Sequence, residues 1–164
     1  MSEATDLKTV LLVRHAKSDW PEGVDDVDRP LTEKGKKDAA LIAERVHTRI
    51  PQMDLLISSP ARRTRKTAKA FARTYQKNKE DIVLKPELYL PYPEVFFEVL
   101  SDLDSSVRSV SIFSHNNGIT DFANMLGVVR IDELPTCGVL AFGFTGEWSD
   151  IRRLPKNFLF FDRP

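Results

Sequence analysis

Short apolar-rich runs, of which TVLLV at Thr9 to Val13 is unbroken, alternate along this chain with stretches in which apolar positions recur every three or four residues. The runs Thr9 to Val13 (TVLLV), Asp54 to Ile57 (DLLI), Ile82 to Leu84, Val107 to Phe113 and Val139 to Phe144 read as strands. A strand of a parallel sheet is covered on both faces, so it is apolar at successive positions instead of at every second one. Between the first two runs, Ala39, Ile42, Ala43, Val46 and Ile50 form one stripe of a helix that Thr32 caps and Pro51 ends. Ser59-Pro60 reads as the N-cap and first residue of a second helix, reaching about Tyr75. The rigid loop Tyr89 to Pro93 (YLPYP) leads into a helix from about Glu94 to Leu100, and another helix is expected from about Ile119 to Leu126. A last strand is expected at Trp148 to Leu154. Strands alternating with helices predict an α/β fold, a three-layer α/β/α sandwich with a mostly parallel central sheet.

Size and charge narrow the field. A chain of 164 residues buries roughly 70% of its unfolded surface on folding, which suits one domain over residues 1–164 and leaves no segment for a cap domain. Lys and Arg (24) equal Asp and Glu (24), a balance that argues against nucleic acid or membrane as the main partner, since such proteins usually carry a basic excess. Cys137 is the only cysteine, so an internal disulfide and a multi-cysteine metal site are both excluded. The start of the chain lacks a basic segment followed by an apolar one, and no run of about 18 apolar residues occurs. A cytoplasmic protein is expected.

Three polar features fall just past the carboxyl end of an expected strand: Arg14-His15, Ser58-Ser59-Pro60 leading to Arg63, and His115. Ligands of open α/β sheets bind there, against strand ends and helix N-termini. At about 100° per residue Arg62, Arg65, Lys66 and Lys69 share one helical arc and read as a solvated face, while Arg63 points elsewhere with Thr67 and Ala70.

VRHAKSDW, DRPLTEKG, SSPARRTRKTA and FSHNNG, in this order and spacing, resemble the histidine phosphatase superfamily with its RHG-type start. The RHAKSDW form and the short length resemble the SixA-type phosphohistidine phosphatases. The resemblance implies a phosphoglycerate mutase-like fold without a cofactor or metal, and a His15 that becomes phosphohistidine before water releases phosphate. It matches Arg14, Arg63 and His115 to the family's phosphoryl-binding residues. Each brings donors for the three equatorial oxygens on which phosphoryl transfer chiefly depends. Arginines beside His15 are expected to keep it neutral by like-charge repulsion, leaving it free to attack. Lys17, Ser18 and Asn116 are candidate substrate contacts. Asn117 departs from the family's His-Asn-Pro-Gly and is expected to alter the turn more than the chemistry.

Other readings compete with these. His15 and His115 could hold zinc, but no third ligand stands out; His47 falls on a solvated helix flank; Cys137 reads as a packing thiol; the Arg62 to Lys69 run could contact RNA but reads first as a surface face. Hydrolysis of a phosphomonoester needs a general acid for its alkoxide, and Glu87, Glu94 and Asp19 are the candidates, none pinned by a motif. The labile P–N bond of a phosphoramidate needs such an acid less. A protein phosphorylated on histidine is therefore the leading expected substrate, with a small phosphorylated metabolite, or a non-catalytic phosphate-binding role, as alternatives.

Overall fold

A computed structural model describes residues 6–164; the amino-terminal reading above begins at residues 1–5, outside the described residues. Ten elements follow in order: β1 (Leu7–Arg14), α1 (Glu33–Arg49), β2 (Leu55–Ser58), α2 (Arg62–Thr74), β3 (Val83–Leu84), α3 (Glu94–Ser101), β4 (Ser109–Ser114), α4 (Gly118–Met125), β5 (Val139–Thr145) and β6 (Asn157–Asp162). The strands form one sheet in the order β3-β2-β4-β1-β5-β6. Pairing is parallel from β3 to β1 and antiparallel at β5 and β6.

The unbroken run of β1 has its cause in this layering. Val10 and Leu12 join Phe96, Phe122 and Phe142 under α3 and α4, while Leu11 and Val13 join Ile42, Val46 and Phe71 under α1 and α2. Both faces of the strand are covered, as a parallel sheet in a three-layer α/β/α sandwich requires. Among the described residues no helix is long and apolar enough to cross a membrane.

Two expected elements differ. Trp148 to Leu154 is not a strand: Trp148–Asp150 is a 3-10 turn, and the buried Trp148 donates from Nε1 to the Val107 carbonyl at 2.8 Å. Its apolar signal comes from one plugging side chain packed edge-on against Phe144. The last strand is β6, an edge strand on which Phe160 alone is buried, so its apolar residues show no alternation. The second helix begins at Arg62 after Ala61, two residues later than expected, although the Ser59 oxygen accepts the Ala61 N–H at 3.2 Å.

Thr32 caps α1, accepting from the Gly35 N–H at 2.9 Å, and its own N–H donates to the Lys17 carbonyl at 2.9 Å. Gly35 lies so close to that loop that a Cβ would stand 2.2 Å from the Lys17 oxygen. Gly35→Ala must therefore push α1 away from the segment that follows β1. A stability loss of about 1–3 kcal/mol, in the range for overpacking, is expected in urea unfolding; an unchanged midpoint would show that the helix does not brace this loop.

Candidate active site

Register brings the two histidines together. In the parallel β1–β4 pair Val13 lies opposite Phe113 and Arg14 opposite Ser114, so the next residue of each strand is His15 or His115. Their ring centroids are 5.5 Å apart with planes tilted by 55°. On the other side of β4, Ser58 of β2 is opposite Phe113, and the following Ser59 reaches His115 with its hydroxyl 2.8 Å from Nε2. Adjacent strand ends thus supply His15, His115 and Ser59, and α2 starts from the same edge with Arg63 in its first turn.

His15 is 7% exposed, and its Nδ1 lies 2.8 Å from the Ala16 carbonyl. A carbonyl only accepts, so Nδ1 carries the hydrogen and Nε2 keeps its lone pair. Burial holds the ring's pKa down at about 4; the Ala16 bond opposes this, and Arg63, Arg14 and Arg29 add to it. The arginines thus act in the expected direction, but desolvation is the larger cause.

His115 is 1% exposed, and burial, followed by Arg63 and His15, lowers its pKa to about 3. The Ser59 oxygen also accepts the Ala61 N–H at 3.2 Å, and its one hydroxyl hydrogen can be directed to Nε2. That arrangement puts the ring hydrogen of His115 on Nδ1, which is buried without a partner, as are Arg14 Nε and Arg63 Nε. Buried polar atoms are nearly always paired. Among the described residues these three nitrogens and Ser111 Oγ are the buried side-chain polar atoms that are not.

The arginine arms are anchored by groups the sequence did not single out. Arg63, 3% exposed, donates to the Asp26 carbonyl at 2.7 Å and to the Asp26 carboxylate at 3.0 Å. Arg29 and the Tyr89 hydroxyl donate to the same carboxylate. Burial alone would raise Asp26, but these bonds from Tyr89, Arg63 and Arg29 outweigh it and hold its pKa at about 2. Arg14 donates to Glu133 at 3.1 Å and to the Leu134 carbonyl at 2.9 Å, while burial pushes its pKa down. Asp26 lies in the acidic string Asp25-Asp26-Val27-Asp28, where only its three-residue spacing to Arg29 hints at an inward role.

Among the candidate substrate contacts, Asn116 donates to Glu133 at 2.9 Å and accepts from Thr120, so it sits beside Arg14 on a shared carboxylate. Ser18 accepts from Arg29 at 2.8 Å. The Lys17 side chain is exposed, and its hydrogen bonds run through its carbonyl. Glu87, Glu94 and Asp19 are exposed, and none of their side chains bonds to His15, Arg14, Arg63 or His115. Asp26 and Glu133 are the carboxylates that do reach these arginines. His47 is exposed; Cys137 is buried, which pushes its thiol up to about 12. Among the described residues no three His, Cys, Asp or Glu gather as a metal-holding group.

Two imidazoles kept uncharged by burial make stability depend on pH. An unfolded histidine titrates near 6.5, whereas the folded values are about 4 for His15 and about 3 for His115. The unfolded chain therefore binds more protons below pH 6.5. The stability from these rings is fully present above that pH and is lost as the pH falls toward 4 and then 3. Urea midpoints should drop between pH 7 and pH 5, with His115→Asn flattening part of the slope; equal midpoints would contradict the buried neutral pair.

Comparison with known proteins agrees with this geometry. The sequence pattern of the histidine phosphatase superfamily (branch 1) matches residues 10–89. An uncharacterized chloroplastic protein of Arabidopsis thaliana is 29% identical over 155 residues, 87% of this chain and 70% of that protein. Among solved structures, the candidate phosphohistidine phosphatase SixA of Agrobacterium tumefaciens is 27% identical with a TM-score of 0.79, covering 96% of this chain and 98% of its own. That of Nakamurella multipartitia is 20% identical with a TM-score of 0.84, covering 96% of each. With two strand-end histidines, buried arginines and the fold in agreement, the chain belongs to the histidine phosphatase superfamily and is a phosphoryl hydrolase.

Proposed function

We propose that this phosphatase hydrolyses phosphohistidine on proteins, with His15 as nucleophile and residues 1–164 acting as one domain. The observation that carries the proposal is a neutral, buried His15 with a free Nε2 lone pair, beside three buried nitrogens without hydrogen-bond partners, Arg14 Nε, Arg63 Nε and His115 Nδ1. In this reading those donors take the equatorial oxygens, where preorganised N–H groups stabilise the transferring phosphoryl. Asn116 steadies Arg14 through Glu133, and Ser18 steadies Arg29. Lys17 lies at the rim, where its ammonium can meet the substrate.

The Nε2 lone pair attacks phosphorus, and the new N–P bond forms as the substrate's own P–N bond breaks. The leaving imidazole keeps the bonding pair. Its remote nitrogen is protonated from solvent, so it departs neutral without a proton delivered at the breaking bond. Water then attacks the phosphohistidine of the enzyme, releasing phosphate and restoring His15.

Asp26, held ionised at about 2, has no proton to give an alkoxide, which favours a P–N substrate over a phosphomonoester. The 27% identity to the Agrobacterium SixA supports the same choice. A small-molecule phosphomonoesterase is the second reading, favoured by one feature: a second carboxylate, Glu133, stands exposed 3.1 Å from Arg14.

Brief exposure to a histidine-phosphorylated protein, followed by an alkaline quench, should leave acid-labile phosphate on the wild type and none on His15→Ala. Label on both, or turnover by both, would remove His15 from the mechanism. Arg63→Ala should lower kcat by roughly 10²–10³, the usual loss for one transition-state donor. Efficient hydrolysis of sugar or nucleotide phosphates with no action on phosphohistidine would overturn the substrate class.

A further inference from the structure

We propose that the loops flanking the pocket form an apolar docking rim for the protein surface around the substrate phosphohistidine, an inference that rests on the phosphohistidine reading above. The three most exposed large apolar side chains among the described residues are Tyr92, 81% exposed, Trp20, 62%, and Leu90, 56%. All three lie on the two segments that meet at Asp26, the residue that anchors Arg63. Trp20 is in the loop after His15, where it stacks under the Arg29 guanidinium at 4.5 Å, and Arg29 bonds Asp26. Leu90 and Tyr92 follow Tyr89, whose hydroxyl also bonds Asp26.

The Trp20 side chain and the backbone that carries Leu90 and Tyr92 are held in place. Trp20 Nε1 donates to the Val24 carbonyl at 3.2 Å. The loop of Leu90 and Tyr92 is pinned at Tyr89, by its two prolines, and at Gly118, where a Cβ would stand 2.1 Å from the Pro91 carbonyl. That contact seats the loop on the start of α4, three residues past His115. Leu90 itself has φ of 47°, a left-handed conformation unfavourable for a branched side chain. Strain of this kind persists where the surroundings over-determine it and is concentrated at ligand clamps and functional sites.

Exposed aromatic and aliphatic groups on a held backbone around a cationic centre complement one kind of ligand well: a dianionic phosphoryl set in an apolar protein surface. Tyr and Trp supply large contact area at low cost in side-chain entropy, and preorganised groups lose less on binding.

The test compares two substrates of the wild type with those of Tyr92→Ser, Trp20→Ser and Leu90→Gly. The last removes the apolar side chain at a backbone angle that glycine accepts, and thermal melts check folding of all three. The substrates are a histidine-containing phosphotransfer domain phosphorylated with phosphoramidate, and phosphoramidate itself. Docking predicts that kcat/KM for the protein falls at least tenfold through KM in each variant, while turnover of phosphoramidate stays within twofold. Equal losses on both substrates, or no loss on either, would overturn the docking rim while leaving the phosphohistidine reading in place. A wild type that ignores both substrates but cleaves sugar phosphates would overturn that reading, and the rim with it.

Discussion

The Ala16 carbonyl holds the Nδ1 hydrogen of His15, and the rest of the site is arranged around keeping that carbonyl where it is. Ala16 donates its N–H to Thr67 Oγ1 at 2.9 Å, and Thr67 in turn donates to the Arg63 carbonyl at 2.8 Å. The His15 carbonyl accepts from Cys137 at 3.0 Å, and its N–H donates to Ser114 at 3.2 Å. The end of β1, the first turns of α2, the end of β4 and the turn before β5 therefore converge on two residues of backbone. A ring oriented by the neighbouring peptide moves only if that peptide moves, and here four elements hold it.

Burial of the two imidazoles has a cost in stability and a return in chemistry from the same cause. Desolvation disfavours the charged ring, so His15 stays a free base through neutral pH. Like-charge repulsion from Arg14, Arg63 and Arg29 pushes the same way but is secondary. The arginines are thus free to serve as donors, and their own charge is partly balanced by Asp26 and Glu133. Ser59 holds the His115 ring at Nε2 while its oxygen also accepts the Ala61 N–H ahead of α2.

Much of this was legible in the residues because backbone and motif pointed the same way. TVLLV ends in Arg14-His15 and the strand ending at Ser114 leads into His115, so periodicity alone put both histidines at strand ends; the inward course of Arg63 followed from its helical phase. Anchors contributed by long loops were not legible. Asp26 and Asp28 are chemically alike and two residues apart, and which one turns inward depends on the fold of the 15–32 segment, not on any local pattern. The same limit applied to Glu133. Trp148 misled for another reason, since one large side chain filling a hole gives the apolar signal of a short strand.

Both arginines divide their donors in one way. Arg63 spends its two terminal nitrogens on Asp26, and Arg14 directs a terminal nitrogen to Glu133 and the Leu134 carbonyl; in each, Nε is buried and spare. Protein acceptors thus hold terminal nitrogens of each guanidinium and leave Nε unpaired, which fixes the planes before any ligand arrives. An arginine that had to swing in from solvent would lose rotamer freedom on each turnover; these have already lost it on folding. The same anchoring sets what the site can do with a leaving group. Asp26 can hold Arg63 only while ionised, and an ionised carboxylate cannot also be the proton donor. Under the phosphohistidine reading proposed above, a site that uses this carboxylate as an anchor suits substrates whose leaving group departs without help, as imidazole does.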